Sequence, residues 1–194
     1  MKENTKDKIL RIGAEIIHRK GFNHTGLQEI LQAAKVPKGS FYNYFKSKED
    51  FGLQVIDFYA EHFKGMVAGI VKEGALSPLG KVKGILDAFI TFFGSKGYIC
   101  GCPIGNLSQE MGDLSPVFRG KLKRAMDTMV GCYVELLAAA KEAGEISPDL
   151  DVMETSLFIV TSWQGALIRM KIEKGHKPLE NHKRFIFDYV LKHP

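Results

Sequence analysis

The sequence predicts an all-α chain of about nine helices, a three-helix helix-turn-helix tip followed by a larger helical bundle. Three observations carry this expectation. Apolar residues recur at helical spacing almost throughout, while the two-residue alternation of a half-buried strand is nearly absent. Helix-start signals recur, with a serine or cysteine followed by proline at Ser77-Pro78, Cys102-Pro103, Ser115-Pro116 and Ser147-Pro148. Among the 194 residues, 45% are hydrophobic and 25% charged, enough apolar material for a folded core. The mean hydropathy of −0.08 and the lack of a long apolar run exclude a membrane-spanning helix. With no apolar leader and only three cysteines, the expectation is a cytoplasmic protein without disulfides.

The elements follow in order. Asn4 or Thr5 starts a first helix, with Ile9, Ile12 and Ile16 on one face, widened by Leu10, Ala14 and Ile17. Gly21 closes it in left-handed geometry. Thr25 and Gln28 read as a capping box opening a second short helix through Ala34. Lys35-Val36-Pro37 is a tight turn, and Lys38 to Phe45 a third helix. Ser47, with Asp50 three residues on, caps a fourth that runs to about Val71. Later helices run from Ser77 toward Gly97, from Cys102, from Ser115 to Gly144, from the Ser147-Pro148-Asp149 turn through Ile172, and over roughly 180–192. The expected division is a head over 1–48 and a sensing and dimerisation body over 49–194.

Charge separates these parts. Residues 1–48 hold ten basic and four acidic residues, a net +6, while the remainder nets −1. A basic head on a nearly neutral body points to a polyanion partner, although a solvated basic face has the same composition. Three short helices with a three-residue turn between the second and third have the helix-turn-helix pattern, which reads the major groove of double-stranded DNA. In that arrangement Leu27, Ile30 and Leu31 brace Val36, Phe41 and Phe45, leaving Ser40, Tyr42 and Asn43 outward. Gly39 lets the backbone approach the duplex. Lys38, Lys46 and Lys48 flank the reading face at phosphates, and Thr25 and Gln28 offer donors to another. Phe41 and Phe45, four residues apart, are core aromatics; for Tyr42 the choice between core and DNA contact falls to DNA, since so short a helix cannot bury both faces.

The run Thr25-Gly26-Leu27-Gln28 through Val36-Pro37-Lys38-Gly39-Ser40-Phe41-Tyr42-Asn43-Tyr44-Phe45-Lys46-Ser47-Lys48-Glu49 resembles the DNA-binding head of the TetR family of bacterial transcriptional regulators. The resemblance implies that Ser40, Tyr42, Asn43 and Tyr44 touch DNA and that Lys48 meets a phosphate. It further implies a homodimer on a palindromic operator, released by a small molecule or an electrophile, with the last two helices as interface. Lys35 departs from the family, standing where glycine is frequent, and Tyr44 replaces a common histidine. For the interface, Leu157, Val160, Trp163, Gly165, Ala166 and Leu167 offer one face, and Phe185, Ile186, Tyr189 and Val190 the other.

The stretch Gly97 to Ser108, with Glu110 and Asp113-Leu114-Ser115 downstream and Lys171-Ile172-Glu173 and Pro178-Leu179-Glu180-Asn181 near the carboxyl end, resembles the NemR-like and AcuR-like subgroup, which responds to electrophiles and oxidants. Cys102, ahead of a proline at a helix start, sits where the helix dipole favours thiolate. Lys171 stands where that subgroup has a lysine partnering the sensor cysteine. Cys102 also reads as a small packed hydrophobe, or less readily as a metal ligand; Cys100 and Cys132 read mainly as packing. Phe89, Phe92, Phe93, Met126, Met129 and Trp163 are candidate ligand-pocket residues, though such residues are more often plain core than ligand wall. No metal site, cofactor site or catalytic constellation is evident. The competing functions are a cysteine-dependent enzyme at Cys102 and a helical ligand-binding protein that does not bind DNA.

Overall fold

A computed structural model of the chain describes residues 4–192; Lys2 and Glu3, counted in the head's charge, lie outside them. The described residues form nine α-helices and no strand: α1 (Thr5–Lys20), α2 (Leu27–Ala34), α3 (Lys38–Tyr42), α4 (Lys48–Val71), α5 (Pro78–Ser95), α6 (Pro103–Met111), α7 (Pro116–Glu142), α8 (Val152–Glu173) and α9 (Lys177–Phe185). A single π-turn (Ile186–Val190) continues α9. None is long and apolar enough to cross a membrane.

The helix starts follow the sequence signals closely. Asn4 caps α1 by accepting from Asp7 N at 2.8 Å. Ser47 Oγ accepts from Asp50 N at 3.0 Å, and Asp50 reaches back to Lys46 N at 2.9 Å, a reciprocal cap for α4. Ser77 accepts from Gly80 N ahead of Pro78. Ser115 Oγ accepts from Phe118 N at 3.3 Å and donates to Glu49 at 2.9 Å.

Several expectations are corrected. Thr25 is not the cap of α2: Gly26 holds that position and makes no side-chain cap bond. Gly21 has the positive φ expected of it (+89°), but its ψ of 158° makes the chain leave α1 extended instead of in a left-handed turn. α3 ends at Tyr42, three residues early, with Asn43 as its C-cap and Tyr44 N donating to Phe41 O at 3.0 Å, a tighter three-residue turn. α8 starts at Val152, capped by Asp151, which accepts from Glu154 N at 2.8 Å. Ser147 instead closes a local turn with Asp149 N. The last helix begins at Lys177 and not near residue 180.

The described chain falls into two compact units, one comprising the chain up to His62 with Pro103–Ala125, the other Phe63–Cys102 with the chain from Met126 onward. These differ from the expected boundary at 48/49, because α4 supplies Phe51, Val55 and Ile56 to the core beneath the head. In the first unit Phe41, Phe45 and Phe51 form a mutually packed ring trio with centroids 4.9–5.7 Å apart. Ile9, Ala14, Ile17, Ile30 and Leu31 of the same unit are buried as well. The stripe of α1 therefore centres on Ile9, Gly13, Ala14 and Ile17, and Ile12 and Ile16 are only half-buried. Gly52 is needed where it stands, since a Cβ there would collide with the rings of Phe22 and Phe118. The second unit is built around Leu86, Phe93, Trp163, Leu167, Met170 and Leu179.

Candidate nucleic-acid interface

The tip presents one polar, aromatic surface. Ile30, Leu31, Phe41 and Phe45 face inward as expected, with Leu27 and Val36 half-buried at the rim. That fixes the opposite face of α3 outward. Tyr42 is 54% and Tyr44 40% exposed, Asn43 and Lys38 are exposed, and Ser40 is half-buried between them. Gly39 is open, with no atom within 4 Å of the place a Cβ would occupy. Large exposed tyrosines beside lysines on a helix whose other face is packed are suited to contacting base edges and phosphates.

Lys35 takes left-handed geometry, with φ 54° and ψ 49°, to turn the chain between α2 and α3. Val36 N donates back to Leu31 O at 3.0 Å and Lys35 N to Gln32 O at 3.1 Å, closing the helix end.

Two of the expected phosphate contacts are placed differently. Thr25 is completely buried, and its hydroxyl donates to Gly21 O at 2.7 Å, so it cannot offer a donor to DNA. Gln28 remains exposed at the start of α2. Lys48 is half-buried, with Nζ 4.6 Å from the centroid of the Phe22 ring. Its pKa is lowered by burial, against an opposing pull from the Glu110 carboxylate. Glu110, which the sequence offered only as part of the subgroup's stretch, has a role here that sequence reasoning missed. Its Oε2 accepts from Phe22 N and its Oε1 from Asn23 N, each at 2.7 Å.

In the second unit, the segment leading to Cys102 has an unusual backbone. Gly97, Tyr98, Cys100 and Gly101 all have positive φ, at 70°, 58°, 68° and 76°. Cys102, half-buried, packs against the Leu86–Phe93–Trp163 cluster directly before α6. Lys171 approaches the same segment: a Cβ on Gly101 would lie 3.1 Å from its Cδ. Burial, then Glu135, pushes the Cys132 thiol pKa up against the nearby Lys64, which suits a packed thiol. No group of three or more His, Cys, Asp or Glu residues among the described residues could hold a metal ion.

The candidate pocket residues separate. Phe89 stacks toward Phe63, Phe93 and Trp163 at centroid distances of 5.8, 6.5 and 6.4 Å. Phe92 is 40% exposed and lies under Lys96, so it belongs to the surface and not to a pocket wall. Met129 is buried and Met126 half-buried on α7, and neither belongs to the Phe93–Trp163 cluster.

The interface residues also divide. Val160, Trp163, Leu167 and Ile186 are core, each 8% exposed or less, whereas Leu157, Phe185 and Tyr189 are open at 54%, 51% and 73%. Met153, Phe158, Ile168 and Ile172, not singled out from the sequence, are exposed on α8 as well.

Comparison with known proteins agrees with this arrangement. Residues 9–55 match the family model described as bacterial regulatory proteins, tetR family, and residues 78–186 the tetracyclin repressor-like C-terminal domain. The transcriptional regulator AcuR of Cereibacter sphaeroides is 36% identical over 91% of this chain and 80% of its own length. The transcriptional repressor DhaR of Mycobacterium sp. strain GP1 is 32% identical over 96% and 92%. The crystal structure of Escherichia coli NemR in its reduced form superposes with a TM-score of 0.87 at 26% identity, covering 98% of this chain and all of that one. These relatives are regulators and not enzymes. A DNA-reading tip on a helical body, matched along nearly its whole length, makes this chain a member of the TetR family of bacterial transcriptional regulators.

Proposed function

We propose that the protein is a cytoplasmic, homodimeric repressor that holds a palindromic operator and releases it when Cys102 reacts with an electrophile or oxidant. The observation that carries the DNA-binding half is the outward Tyr42–Asn43–Tyr44 surface beside Lys38 and the bare Gly39. Ser40 and Gln28 complete the reading face, and Lys48 meets a phosphate from its place on the Phe22 ring.

Supporting the dimer, Met153, Leu157, Phe158, Gly165, Ile168 and Ile172 share one exposed face of α8, while its buried residues lie on the opposite face. A helix apolar on both sides has one side for its own core and the other for a neighbour. Phe185 at the end of α9 and Tyr189 in the π-turn after it, whose rings pair at 5.2 Å, add exposed aromatic surface.

Supporting the switch, Cys102 combines partial exposure, a position at a helix start and a lysine stem alongside the preceding glycine. Addition of its thiolate to an electron-poor alkene forms a C–S bond, and the adjacent carbon takes up a proton. The added bulk must displace the Phe93–Trp163 packing, which biases the body toward a second conformation.

The test is footprinting of the DNA upstream of the protein's own coding region, with and without N-ethylmaleimide. The wild type is expected to protect a palindrome and to lose it on alkylation. Tyr42→Ala weakens protection at least tenfold with the fold intact, and Cys102→Ser retains protection after treatment. If Cys102→Ser is still released, the trigger lies elsewhere, and a non-covalent ligand among Phe89, Phe93 and Trp163 becomes the reading to pursue.

A further inference from the structure

The turn between α1 and α2 is held from outside the three-helix tip. Other backbone groups of that turn find partners locally: Gly21 N donates to Ile17 O at 2.8 Å and Thr25 N to Phe22 O at 3.3 Å. Gly21 O accepts from the Thr25 hydroxyl. Phe22 N and Asn23 N instead point at the two oxygens of Glu110, on the last turn of α6.

Two further features fit the chain to this carboxylate. A Cβ on Gly21 would stand 3.0 Å from both Oε1 and Oε2, so the bare Cα makes room for the clamp, and the φ of +89° delivers the next two amides to it. Phe22, whose amide is held, carries the ring on which the Lys48 ammonium rests. Asn23 adds a contact from Nδ2 to Met111 Sδ at 3.6 Å.

Elementary electrostatics makes the opposite forecast for Glu110. A carboxylate in a unit that binds a polyanion repels it, so its removal should tighten binding. Against this stand two charge-assisted hydrogen bonds, about twice as strong as neutral ones, to a turn that sets the start of α2.

We propose that Glu110 is a positioning residue for operator binding: from α6 it fixes the 21–23 turn, and through that turn the placement of α2 and of Lys48. This rests on the DNA-binding reading above.

The experiment measures affinity of the full-length protein for the duplex it protects, at several salt concentrations. Glu110→Ala is expected to bind about tenfold more weakly, since two amides lose their acceptor. Its salt dependence stays that of the wild type, because no phosphate contact is lost, whereas Lys48→Ala flattens it. Glu110→Gln keeps one acceptor oxygen and falls between. The Glu110→Ala, Lys48→Ala double variant loses less than the product of the two single effects, since both act through Phe22. Should Glu110→Ala fail to fold, Glu110→Gln carries the test alone. Binding by Glu110→Gln as tight as or tighter than the wild type overturns the proposal and leaves Glu110 as mere repulsion. A wild type that binds no duplex removes the operator reading itself, and this assignment with it.

Discussion

Lys35 shows how a single residue carries a cost that the fold accepts. Left-handed geometry brings a side chain's Cβ against its own carbonyl, a penalty of about 1 kcal/mol that glycine escapes. The turn between α2 and α3 nonetheless requires that geometry, with φ at 54°. Lys35→Gly is therefore expected to raise stability by up to about 1 kcal/mol, reduced by glycine's extra freedom in the unfolded chain. Lys35→Ala, which keeps the Cβ, brings no such gain. Urea unfolding of the three proteins at one concentration separates the outcomes; equal gains from glycine and alanine would mean that loss of lysine's charge, and not its backbone, matters. This strain was legible in the sequence as a departure from the family's usual glycine. The role of Thr25 was not, because a threonine near a helix start looks the same whether its hydroxyl caps that helix or ties back to the carbonyl of Gly21.

At the scale of the element, helix starts were legible and helix faces less so. Ser47, Ser77 and Ser115 act through bonds to neighbours three residues on, which sequence spacing encodes directly. The two faces of α8 defeat the same reading: apolar residues nearly surround the helix, and only packing decides that Trp163 and Leu167 turn inward while Leu157 and Ile172 turn out. The role of Glu110 was hidden for a related reason, since its partners lie 88 and 87 residues away in the chain. The seam between α8 and α9 carries a testable consequence. His182 stands with Nε2 2.9 Å from Ser162 Oγ and its ring edge-on to Trp163 at 5.2 Å. Its Nδ1 is buried without a hydrogen-bond partner among the described residues. Burial pushes its pKa down to about 4, with a bond to Ile159 opposing. The unfolded chain takes up this proton near pH 6.5 and the folded one not until about pH 4, so between those values the unfolded state holds more protons. Stability should fall as pH drops through that window. His182→Gln removes this share of the slope, and thermal unfolding of both proteins across the range measures it; superimposable slopes would show that carboxylates alone produce the acid sensitivity.

For the whole molecule, the proposed homodimer matters because a single reading head offers only a small surface to an operator. A five-residue helix with a few flanking lysines meets one half-site, and specific binding at physiological salt normally calls on two such heads at once. Joining them converts the second contact into an intramolecular event, a gain of about 10²–10⁴ over either head alone. On the proposed reading, the exposed face of α8 with Phe185 and Tyr189 is the surface on which that gain depends, and it lies far along the sequence from the proposed DNA contacts. Leu157→Glu combined with Ile172→Glu puts two carboxylates on a face that is open in the single chain, at 54% and 70% exposure, so the fold of each chain should survive. Sedimentation is expected to give a monomer of about 21.7 kDa with the helical signal of the wild type. Operator affinity should fall by about a hundredfold or more, while an intact Tyr42–Asn43–Tyr44 surface leaves weak, salt-sensitive binding to any duplex. A double variant that still sediments as a dimer would move the interface off α8. One that is monomeric yet binds the operator at full strength would mean that a single tip suffices, and the body's part in recognition would have to be sought elsewhere.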